Sequence, residues 1–133
     1  MAEFIFKDLV KKRGLEKEFA IFSSATSTEE IGNSIYPPAA RELERNGISY
    51  EKRRATQLKK EDYSKYDLFI CMDSNNIRNV KRIFPSDEMN KIKKLMDYTN
   101  RGGDVADPWY SDRFDIAYRD IYEGCTALLE ELI

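Results

Sequence analysis

From Ala2 the apolar positions Ala2, Ile5, Phe6, Leu9 and Val10 recur at helical spacing, and Gly14 stands where a helix ends in a left-handed cap. The chain is therefore expected to open in an amphipathic helix. Phe19-Ala20-Ile21-Phe22 is a short unbroken apolar run, the pattern of a strand buried on both faces, and it leads into a polar loop from Ser23 to Tyr36. Pro37 and Pro38 suit the first turn of a helix, whose amides lack partners in any case, and that helix runs through Ala40 and Leu43 to a stop near Gly47. A helical turn at Lys60 to Lys65 precedes a second buried run, Leu68 to Met72. Asp73 or Ser74 then caps a helix with Ile77, Val80, Ile83 and Phe84 on one face, ended by Pro85. A weaker strand pattern covers Ile92 to Met96, and Tyr98 to Tyr110, with Gly102-Gly103 and Asp107-Pro108, reads as loop. Phe114, Ala117, Tyr118, Ile121, Cys125, Leu128, Leu129 and Leu132 mark one face of a long last helix, capped by Ser111 or Asp112.

Buried strands alternating with amphipathic helices predict a doubly wound, three-layer α/β/α fold with a parallel sheet. Each helix in such a fold follows a strand, yet the first helix here has none before it. Three strand patterns are thin cover for about five helices. On this pattern, one strand and its following loop are expected upstream of Met1.

Length and charge narrow the function classes. The 133 residues suit a single domain spanning 1–133. Lys and Arg number 22 against 24 Asp and Glu, so no global field draws the protein to nucleic acid or to an anionic membrane. The longest apolar runs fall far short of the roughly 20 residues that cross a bilayer, and the N-terminus lacks the order of a signal peptide. Absent histidine excludes imidazole triads and zinc sites with nitrogen ligands, so catalysis would have to use carboxylates, a thiol, hydroxyls or cations; no cofactor is expected. Cys71 and Cys125 fit neither a disulfide framework nor C-x-x-C spacing, and a reducing, cytoplasmic setting is the expectation.

The segment Asp104 to Asp112, DVADPWYSD, carries the most suggestive chemistry. Pro108 restricts the backbone of Asp107, which presents its carboxyl at a fixed angle suited to giving a proton to a leaving oxygen. Trp109 and Tyr110 can wall a slot for a flat ligand. The same residues also make an ordinary turn with a packed aromatic pair. Ser23, Ser24, Thr26, Ser27 and Thr28 follow the first buried run and can support a phosphate or merely satisfy their own turn. Asp73, Asn75 and Asn76 follow the second, where Asp73 can act as a cap or as a loop brace. Both cysteines lie at apolar positions and read as core, and Lys52, Arg53 and Arg54 read as a solvated basic face.

Taken together, MAEFIFKDLV, SSATSTEEIGN, the IYPPA helix start, CMDSNNIRNV and DVADPWYS closely resemble the low-molecular-weight protein tyrosine phosphatases, in that family's order along nearly the whole chain. The resemblance implies a small doubly wound fold with four central parallel strands and metal-free hydrolysis of phosphotyrosine monoesters through a cysteinyl-phosphate. It implies phosphotyrosine proteins or aryl phosphates as partners. Asp107 would be the general acid, Trp109 and Tyr110 the aromatic wall, and Ser23, Asp73 and Asn76 supports of the site.

The departure concerns the family's first strand and its C-x5-R-S-P loop, which would directly precede Met1-Ala2-Glu3. No C-x5-R occurs in the chain, since Ile77 follows Cys71 at that distance and Glu131 follows Cys125. The chain is accordingly expected to be an N-terminally truncated, inactive phosphatase sequence. The alternative is a non-catalytic binding or regulatory protein on the same fold. Arsenate reductase chemistry, which needs resolving cysteines, is disfavoured by the apolar placement of both thiols. Loss of a central strand would expose sheet edges, closed either by pairing the two buried runs directly or by a second copy in a homo-oligomer.

Overall fold

A computed structural model describes residues 1–25, 36–51, 56–108 and 112–133. Among these residues the chain forms four α-helices, α1 (Ala2–Lys12), α2 (Pro37–Arg45), α3 (Ser74–Ile83) and α4 (Phe114–Leu132). Two strands, β1 (Phe69–Cys71) and β2 (Ile92–Lys94), pair in parallel with Phe69 opposite Ile92 and Cys71 opposite Lys94.

The sheet is covered on both faces because the second apolar run alternates. Phe69 and Cys71 face one way and pack with Leu58, Val80, Phe84 and Ile92, so that α3 covers that side. Leu68, Ile70 and Met72 face the other, against a larger cluster that draws Ile5 and Val10 from α1, Leu43 from α2, and Ile121, Cys125 and Leu128 from α4. The result is a three-layer α/β/α arrangement. α4 packs on α1 and on a 3-10 turn, Leu95–Tyr98, that follows β2 directly. Gly124 makes this approach close, because a Cβ there would lie 2.6 Å from Cγ of Leu95.

The helix signals hold well. α1 is followed by Gly14 at φ +69°, the left-handed position that glycine adopts without a Cβ penalty. α2 starts at Pro37, and α3 is capped by Asp73 and ends before Phe84.

Three expectations are corrected. Phe19–Phe22 forms no strand: Phe19 packs on Phe6 and Ile21 joins the large cluster, but the first backbone pairing comes only at Ala25, which bridges Gln57 in parallel. An apolar run becomes a strand only where a neighbour accepts its amides, and among the described residues β1 and Phe19–Phe22 are not paired. The third strand pattern stops at Lys94, because Leu95 and Met96 turn inward in the 3-10 turn and become wholly buried. Ser111 lies outside the described residues, and Asp112 is not the N-cap of α4. Its N-cap is Arg113, without a side-chain cap bond, and Asp112 sits at φ +58°.

Candidate active site

The carboxyl end of β1 is closed by its own side chains. Asp73 accepts the amide of Asn76 at 2.7 Å, satisfying one of the orphan donors of α3. Asn76 in return accepts the amide of Met72 through Oδ1 at 3.1 Å. Asp73 is thus both cap and brace, and Asn76 closes the turn from the other side.

The loop leading to Asp107 is fastened at three successive residues, the first two of them to this end. Asp104 accepts from Lys94 Nζ at 3.0 Å and from the amide and hydroxyl of Ser74, both at 3.2 Å. The Lys94 ammonium holds the Asp104 carboxyl below the usual range. The amide of Val105 donates to the carbonyl of Met72 at 3.0 Å, and that of Ala106 to Oδ2 of Asp120 at 3.0 Å. Asp107 follows, exposed at the loop top and held by Pro108.

Ser23 belongs to a separate group at the start of α1. Its hydroxyl donates to Glu3 Oε1 at 2.7 Å, while Lys7 Nζ meets Glu3 Oε2 at 2.5 Å. The buried Glu3 carboxylate thus ties the turn after Phe22 to the first turn of α1. Trp109 and Tyr110 lie outside the described residues, as do Ser111, Thr26, Ser27, Thr28 and the basic Lys52, Arg53 and Arg54.

The two thiols are chemically quiet. Burial, with the Asp73 charge adding to it, pushes Cys71 up to about 11, and burial pushes Cys125 up to about 12. Both stay protonated near neutrality and are free, buried core residues. No group of three or more carboxylates and thiols able to hold a metal occurs among the described residues. A cleft of about 400 Å³ lies between α2 and the start of α4, lined by Tyr36, Pro38, Arg41, Glu42, Arg45, Asp112, Phe114 and Asp115. None of the described sequence-predicted site residues lines it.

Sequence reasoning singled out Asp73, Asn76 and Asp107 as candidates and did not name Asp104, Lys94 and Asp120, which hold the loop. Asp120 did leave a signal. It is a carboxylate on the apolar stripe of α4, between Ala117, Ile121 and Gly124, and a buried charge there requires partners.

Parallel strands covered on both faces, with a capped helix start and a fastened Asp-Pro loop gathered at the carboxyl end of β1, define a doubly wound α/β protein with these loops beyond its strand ends. The family model "Low molecular weight phosphotyrosine protein phosphatase" matches residues 1–133, and the chain belongs to that family. It is 34% identical over 134 residues to the low molecular weight protein-tyrosine-phosphatase YfkJ of Bacillus subtilis, covering 99% of this chain and 86% of the relative. It is 36% identical over 137 residues to the low molecular weight phosphotyrosine protein phosphatase of Schizosaccharomyces pombe, covering 99% and 87%. The crystal structure of YfkJ superposes with a TM-score of 0.92 at 33% identity, over 98% of this chain and 84% of that one. SP-PTP from Streptococcus pyogenes gives 0.87 at 32% identity, over 99% and 83%.

Proposed function

We propose that this chain is a single low-molecular-weight phosphatase domain whose chemistry is phosphotyrosine monoester hydrolysis, and that its 133 residues carry the acid half of that chemistry without the nucleophile half. In this reading Asp107 protonates the leaving phenolate and later activates water. Trp109 and Tyr110 wall the substrate ring, and Ser23, Asp73 and Asn76 support the turns around it. Phosphotyrosine proteins or aryl phosphates are the ligands, and the two free thiols suit a cytoplasmic setting.

The observation that carries the reading is the state of the thiols. Hydrolysis through a cysteinyl-phosphate needs a thiolate at neutral pH and an arginine for the phosphoryl oxygens. Cys71 and Cys125 are raised to about 11 and about 12, and no C-x5-R includes either. Asp107 has no attack to assist within these residues.

The test is p-nitrophenyl phosphate hydrolysis by the 133-residue protein, which is expected to show no turnover above background. Turnover lost on Cys71→Ser or Cys125→Ser would overturn the reading. The same chain preceded by an apolar strand and a C-x5-R-S-P loop is expected to turn over, and Asp107→Asn in it to lower kcat by about 10²–10⁴-fold.

A second, non-catalytic reading is favoured by the sheet edge. β1 pairs with β2 on one side and, among the described residues, with no strand on the other. Such an edge accepts another strand, and self-association through it is the expected binding activity. Light scattering showing only monomer at high concentration would refute this.

A further inference from the structure

We propose that Asp120, within α4, is the positioning residue that sets where Asp107 is presented; the inference rests on the reading of Asp107 as the acid. Asp120 is 4% exposed although it carries a carboxylate. Isolated burial of a charge is costly, and side chains of this type are buried almost only when paired. Here the two oxygens divide their work. Oδ1 receives Nη2 of Arg101 at 2.8 Å, and Oδ2 receives the amide of Ala106 at 3.0 Å.

The second bond matters because Ala106 directly precedes Asp107. Pro108 narrows the backbone of Asp107 from the far side, so an anchored Ala106 leaves the acid little freedom to swing. The anchor itself is firm. Asp120 lies in the nineteen-residue α4, between Ala117, Ile121 and Gly124, all buried against the rest of the core. Val105, which precedes Ala106, is held to Met72 of the β1 end, so the Ala106–Asp120 bond links that end to α4. Arg101 pairs with the Asp120 carboxylate and has a partner of its own in Glu123 at 2.8 Å, so the cation remains paired if Asp120 is replaced. A buried charge-assisted bond to one backbone amide is directional, which an apolar contact at the same place is not.

The test compares amide hydrogen exchange in the 133-residue protein and in Asp120→Leu and Asp120→Asn, with Phe69, whose amide donates to Lys91 in the sheet, as the reference for global opening. Asp120→Leu keeps the site apolar and filled but removes the acceptor. It is expected to speed exchange at Ala106 by about tenfold or more while Phe69 is unchanged. Asp120→Asn retains a carbonyl acceptor and is expected to restore most of the protection. Unaltered Ala106 exchange in Asp120→Leu would overturn the proposal, and so would equal loosening of Ala106 and Phe69. Should Asp120→Leu fail to fold, Arg101→Gln gives the same reading more mildly: expected is faster exchange at Ala106 with Phe69 unchanged, and no change at Ala106 counts against it. The p-nitrophenyl phosphate assay with Asp107→Asn, made in the chain preceded by an apolar strand and a C-x5-R-S-P loop, separately tests whether Asp107 is the acid. A null result there leaves the Ala106 measurement standing as a test of position alone.

Discussion

Phe19–Phe22 and Leu68–Met72 present their side chains in the same alternating way. Phe19 and Ile21 join the large cluster as Leu68, Ile70 and Met72 do, while Phe22 turns to the opposite side toward Tyr66, whose ring also meets Phe69. The second run nonetheless becomes β1, ladder-paired to β2, and the first does not. The outward residue of each shows the consequence: Phe69 is 9% exposed and Phe22 58%. Alternation places a segment between two layers, but a backbone partner is what seals it there.

The largest expected effect separates these two phenylalanines. Phe69 contacts Phe84 at 4.8 Å between ring centroids, with Tyr63 and Tyr66 also against it. Phe69→Ala is expected to cost about 3–5 kcal/mol in urea unfolding, by lost transfer energy and the cavity left behind. Phe22→Ala is expected to stay within about 0.5 kcal/mol, as for a surface change. Equal costs would mean that Phe22 is sealed in solution as Phe69 is, and the contrast would collapse.

The same contrast explains what was legible in the sequence. Helices are local: the apolar spacing of α1 and α4, the prolines opening α2 and the Asp73 cap of α3 each need only a few neighbouring residues. Strand pairing is not local, so Phe19–Phe22 carries a sound strand pattern without a ladder. The site divides likewise. Asp107 and Asp73 announce themselves through Pro108 and through the helix start. Asp104 with Lys94, and Asp120 with Arg101, are pairs made across the fold, and only the apolar neighbours of Asp120 hinted at one of them.

The next effect concerns how each run is closed. β1 ends in the reciprocal bonds of Asp73 and Asn76, whereas Ser23, just after Phe22, reaches instead to Glu3 in α1. Asp73→Ala is expected to cost about 1 kcal/mol through the lost cap. Asp73→Ser, which keeps an acceptor, is expected to recover most of it. Hydrogen exchange should localise the loss to the first turn of α3 and leave Ser23 untouched. Loosening at both turns together would show that they are one unit.

The smallest effect lies at the start of α4, where Arg113 stands at the N-cap and pairs with Asp115. Arg113 donates to both oxygens of Asp115 at 3.0 Å, and this bond, with lesser help from the amides of Asp115 and Ile116, holds the carboxyl down to about 2 from an ordinary 3.8. A depressed carboxylate stabilises the folded state above its unfolded pKa, and that contribution is lost as pH falls from about 4 through about 2. The Asp115 side chain is 52% exposed, so solvent and salt screen the pair and the stability change is expected to be slight. A carboxyl titration followed by NMR reads it directly, with a midpoint near 2 expected for the intact pair. Arg113→Gln should move the midpoint up toward about 3.9. A midpoint left unchanged would assign the depression to the helix amides. Asp115 would then cap α4 as Asp73 caps α3, and the two helix starts would differ only in where the cap stands.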